Sequence, residues 1–178
     1  MQDNFDTERS QAGDGGAILS VSVAADSFGK TWAHCGQLVD YMGRYAGIHN
    51  EDAKRGAMMF AAVFNGVLEA IAKHHTSHGS VKVRLRQGAG AIELWADVPV
   101  AQEQLPFYTE VQDLVRKADL KEWYLGQIAR GAADIDPALL GIAELATTFR
   151  SQIKVSRNDA GTTVTLTVVF PLSEMEES

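Results

Sequence analysis

Asn65, Glu69 and Lys73 stand four residues apart in a stretch that is otherwise almost wholly apolar. On an α-helix that spacing puts all three on one stripe. An amide and a carboxylate so placed are either a row of oxygen donors facing a site or the solvated edge of an amphipathic helix. Lys73 suits the C-terminal end of such a helix, where the dipole favours a cation. His74, His75 and His78 follow. His74 and His78 have the i, i+4 spacing of a metal pair. The helix should end near His75, however, and no cysteine or paired carboxylate nearby completes a ligand set, so the three read as a solvated helix end. As a phosphoacceptor His74 lacks a dimerising helical hairpin before it. Cys35 shares an apolar helix face with Trp32 and Leu38 and reads as a buried structural thiol. Gly13-Asp14-Gly15-Gly16 is no phosphate loop, because no strand precedes it.

The elements that would position these residues follow from periodicity. Residues 1–16 are polar and glycine-rich and read as a disordered leader. Ile18, Leu19, Val21 and Val23 form a β-prone run. Ser27 is placed to cap a helix over 28–45, with Trp32, Cys35, Leu38, Val39 and Met42 at helical spacing. Asn50 is placed to cap the strongest helix, over about 51–74, which carries the polar stripe. Val81, Val83 and Leu85 alternate with Lys82, Arg84 and Arg86, and a turn at 88–90 leads to a second strand over 91–98. The pair reads as a hairpin with one buried and one wet face, the basic residues lying on the wet one. Pro99 and Pro106 bound a linker. Helical segments follow over 109–117 and 119–130. Asp136 caps a further helix with Pro137 at its first position. A hairpin over 151–157 and 162–170 and an acidic tail, 173–178, close the chain. Trp95, Trp123 and Tyr124 read as core or interface aromatics.

The order β, α, α, β, β, α, α, α, β, β predicts an α+β two-layer sandwich. Its sheet is mixed and mostly antiparallel, with helices on one face. The chain reads as a single domain over 17–172. With 16 basic and 23 acidic residues the formal charge is −7, which disfavours nucleic acid as a partner. A single cysteine permits no internal disulfide and fits a reducing cytoplasm. No apolar run is long enough to span a membrane, and the N-terminus lacks the basic start and apolar core of a signal peptide.

The helix with a polar stripe, the hairpin after it, the helical excursion, the further helix and the terminal hairpin resemble the GHKL (Bergerat) ATP-binding fold. Histidine kinases, gyrase-type ATPases and anti-sigma-factor serine kinases share it. The run Phe64-Asn65-Gly66-Val67-Leu68-Glu69-Ala70-Ile71-Ala72-Lys73-His74 is similar to that family's N box, with Leu68, Glu69, Lys73 and His74 in register. The segment from Asp119 to Ile128, together with Leu139–Leu145 and Phe149, resembles a branch of stand-alone bacterial regulators. That branch is similar to the SiaB-type kinases, which act beside STAS-domain partners. The resemblance spans about Ile18 to Phe170. It implies ATP and Mg²⁺ as cofactors, Asn65 and Glu69 as catalytic or magnesium-facing groups, Lys73 and Asn65 near the nucleotide, Asp97 on the adenine amino group and Gly141 at the phosphates.

The same comparison shows departures. Ala70 stands where the family's magnesium-binding Asn belongs, and alanine has no oxygen to offer a hard cation. Gly66 takes the place of the catalytic acid. Val98-Pro99-Val100 replaces the glycines that follow the adenine-binding Asp. Leu139 stands at the first glycine of the phosphate loop, where a side chain crowds the approach that glycine permits. The reading that accommodates both facts is a bacterial signalling regulator with a degenerate GHKL-like fold, binding a STAS-like partner in a partner-switching pathway. The alternative is an active ATP-dependent serine/threonine kinase of the anti-sigma-factor type, with Glu69 or Asn65 handling magnesium or the acceptor hydroxyl. A third reading is a homodimer formed through the helix over 28–45.

Overall fold

The computed structural model describes residues 7–10, 18–25, 32–47, 53–76, 78–88, 90–132 and 134–171. Strands β1 (Thr7–Ser10) and β2 (Ile18–Ala24) come first, then helices α1 (Trp32–Gly47) and α2 (Ala53–Lys73). The hairpin β3 (Ser80–Gly88) and β4 (Ala91–Pro99) is followed by a 3-10 turn (Gln102–Gln104) and helices α3 (Leu105–Leu114), α4 (Leu120–Ala129) and α5 (Pro137–Thr147). Strands β5 (Gln152–Arg157) and β6 (Thr163–Pro171) complete the set. The strands make one sheet in the order β1-β2-β3-β4-β6-β5. Every described pairing is antiparallel, so no parallel pair of the expected mixed sheet is present among the described residues.

Alternation along each strand divides the sheet into two unlike faces. Val21, Val83, Ala96, Leu166 and Val155 stand opposite one another across successive strands, and all are buried. They belong to one core with Leu38 and Met42 of α1, Phe60, Phe64, Val67, Leu68 and Ile71 of α2, and Ile142 and Leu145 of α5. The next row, Ser20, Arg84, Trp95, Thr167 and Lys154, lies on the other face and bears the polar groups. The result is the α+β two-layer sandwich with helices on one face, because only one parity of each strand is apolar.

Three local expectations change. β1 falls inside the segment read as a leader. Among the described residues it lies at one edge of the sheet and pairs only with β2, and a four-residue strand with no alternating apolar pattern gives no local signal. The rest of 1–16, the Ser27 and Asn50 caps and the tail 173–178 lie outside the described residues. So does the side chain of Cys35. α3 begins at Leu105 rather than 109, with Pro106 inside its first turn, where proline's missing N–H costs nothing. Pro106 therefore starts a helix rather than bounding a linker.

Candidate functional site

The polar stripe of α2 is where spacing put it. Asn65 is half-buried and Glu69 and Lys73 are exposed. The Asn65 Nδ2 amide donates to Glu69 Oε1 at 2.8 Å, so each is the other's partner along the helix. One position round, Gly66 and Ala70 face α5. A Cβ on Gly66 would stand 3.4 Å from Leu145 Cδ2, and Ala70 is 2% exposed. The two helices touch directly along this seam.

Asp97 does not join that stripe. It belongs to the polar parity of β4, between Ala96 and Val98, which both point into the core. Its carboxylate therefore lies on the helix-free face. Oδ2 accepts from Arg84 Nη2 at 2.9 Å and Oδ1 from the Thr165 hydroxyl at 2.7 Å. Arg86 pairs with Glu93 on the same face. The guanidinium groups of Arg84 and Arg86 lie 5.9 and 5.3 Å from the Trp95 ring, within reach of its π face. The basic residues are on the wet face, as alternation predicts, and two of the three are neutralised there.

Gly141 lies inside α5, beyond the first turn. Nothing stands within 4 Å of a Cβ added there, so no close approach demands glycine. Leu139 is buried at 4% exposure. The free N–H groups of a helix start are the ones able to hold an anion. In α5 the cap residue Asp136 already supplies one: its Oδ1 accepts from the Ala138 N–H at 2.8 Å.

The other oxygen of Asp136 accepts from His74 Nε2 at 2.9 Å. The His74 ring stacks flat on Phe107, centroids 3.6 Å apart and planes 4° apart. The Tyr108 hydroxyl donates to the His74 carbonyl at 2.9 Å. Burial pushes the Tyr108 phenol well above its usual range. His75 is held too, with its ring nitrogens 3.1 and 2.8 Å from the carbonyl oxygens of Ile71 and Ala25. The expected solvated helix end is thus a joint that locks the C-terminus of α2 to α3 and α5. Sequence reading missed it because His74 and Asp136 are 62 residues apart and only the cap half of the pair has a local signature.

These placements do not bring the residues that the resemblance implies to one site. The positions carried over from the family lie on the exposed edge of α2, on the far face of the sheet and inside α5. Hydrocarbon fills the α2–α5 seam, and the first turn of α5 holds its own carboxylate. Among the described residues no three His, Cys, Asp or Glu side chains gather to hold a metal ion, and no helix is long and apolar enough to cross a membrane.

No protein-family profile and no curated protein matches the sequence. A solved structure similar to this chain is the crystal structure of the SiaB–SiaC complex from Pseudomonas aeruginosa. The TM-score is 0.49 and the identity 17%, over 78% of this chain and 81% of that one.

Proposed function

We propose that this chain is a signalling regulator that acts by binding a protein partner of the STAS type in a partner-switching pathway, on a GHKL-like scaffold that has given up nucleotide chemistry. One observation carries the reading: the α2–α5 seam is packed shut, with Ala70 and Leu139 buried and Leu145 against Gly66. A close-packed seam of this kind is a rigid interior rather than a pocket. What such a scaffold still offers is surface, and competing partners need no more than mutually exclusive interfaces.

The kinase reading requires the nucleotide to open this seam and displace Asp136 from the start of α5. Calorimetric titration with ATP·Mg²⁺ is expected to show no binding in the micromolar range, and binding there overturns the degenerate scaffold. In parallel, an Asn65→Ala/Glu69→Ala double variant should still capture a STAS-domain protein that co-purifies with the native chain. Loss of capture would place the polar stripe in the interface. Loss of phosphoryl transfer with capture retained would restore the kinase.

A further inference from the structure

β5 is an edge strand. Among the described residues it pairs with β6 on one side and with no strand on the other. In an antiparallel ladder every second residue of an edge strand turns its N–H and C=O away from its partner. Among the described residues, the backbone of Gln152–Arg157 bonds to no element but β6. Between α3 and the β5–β6 end of the sheet lies a cavity of about 310 Å³. One wall is α3, through Leu105, Thr109 and Gln112 at i, i+4 and i+7, which is one helical stripe. The other wall is Val155, Ser156 and Arg157 of β5, with Val164 behind them. A strand edge facing a helix across a groove can take an extended peptide by adding it to the sheet.

We propose that the free edge of β5 and the groove under α3 receive an extended segment of a partner protein as a further strand of the sheet. That segment carries an acidic residue opposite Arg157. The proposal rests on the partner-binding reading, for which it supplies a surface. Backbone is the complement that a row of unpaired peptide groups selects. On the helix side the groove is lined by Leu105, Tyr108, Thr109 and Gln112, none of them charged, so it suits the apolar or hydroxyl side chains of one strand face. The acidic residue follows from charge: Lys154 and Arg157 on this strand make no ion pair among the described residues, in a chain whose net charge is −7. A second copy of this chain paired β5 to β5 would crowd four such cations onto one short ladder, which like-charge repulsion disfavours.

The test uses the full chain and a blocked hexapeptide alternating valine with threonine and bearing one glutamate, followed by amide shifts and hydrogen exchange. Shifts are expected in 152–157 and 105–112, with the outward amides of β5 becoming protected. A peptide N-methylated at alternate bonds should bind about tenfold more weakly or worse, since each lost N–H removes a ladder bond. Arg157→Glu should weaken the glutamate peptide and favour one carrying lysine in its place. The proposal is overturned by absence of binding at about millimolar peptide, by shifts elsewhere, by equal binding of the N-methylated form, or by sedimentation showing a dimer formed through β5. The probe needs no natural partner. Its failure therefore removes the edge site and leaves the partner-binding reading standing, whereas failure to capture a STAS-domain protein while the peptide still binds does the reverse.

Discussion

Gly141 and Tyr108 both take their roles from this fold. A glycine that wraps phosphate tolerates no side chain, whereas Gly141 sits within a helix with open space around its missing Cβ. Gly141→Ala is therefore expected to stabilise the chain by up to about 1 kcal/mol through helix propensity. A drop in melting temperature would show that the position needs glycine after all. Tyr108 is 3% exposed and holds the last carbonyl of the α2 joint. Tyr108→Phe should cost about 1 kcal/mol near neutral pH for the lost hydrogen bond. Burial raises the Tyr108 ionisation above its unfolded value of about 10, so the unfolded chain gives up this proton first. The stability it supplies is complete below that pH and declines as pH rises beyond it. Alkaline denaturation followed by circular dichroism should be less steep in Tyr108→Phe than in the native chain. The Asn65–Glu69–Lys73 stripe was legible because helical spacing is a local property. The joint at His74 was not, because its two halves meet only when the sheet has folded between them.

Helix α1 lies against α2 through a close contact at Gly43. A Cβ there would stand 2.9 Å from the Ala57 carbonyl oxygen and 3.4 Å from the Ala61 Cβ. The first is backbone and cannot swing aside, so Gly43→Ala must push the two helices apart. A loss of about 1–3 kcal/mol is expected, read as a lower denaturant midpoint with an unchanged slope. Periodicity identified both helices, the two hairpins and the capped start of α5. It placed α3 four residues late because Pro106 looks like a linker residue until it is seen in the first turn of a helix. It missed β1, whose four residues are fixed by pairing with β2 rather than by their own pattern.

One hydrophobic core joins the sheet to α1, α2, α3 and α5. The molecule should unfold as one cooperative unit, and Phe64, fully buried at its centre, should report that. Phe64→Ala is expected to cost about 3–5 kcal/mol, with tryptophan fluorescence and far-ultraviolet circular dichroism giving coincident transitions. Separate transitions would mean that the helical layer and the sheet fold apart. The layered architecture was set by the sequence itself, because periods of two and of 3.6 dictate which face of each strand and helix is apolar. The same periods picked out Val21, Val83 and the wet face of Lys82, Arg84 and Arg86, and the strand register then set Val21, Val83, Ala96, Leu166 and Val155 in one buried row. Only the tertiary structure decided where the chemistry-bearing residues meet. The alternation Ile92, Leu94, Ala96 and Val98 already turns Asp97 to the polar face, but its partners there, Arg84 and Thr165, come together only as β3, β4 and β6 pair. The contact of α5 with α2 and the pairing of His74 with Asp136 were likewise settled there, since contacts between distant segments depend on how whole elements pack and leave no mark on local spacing.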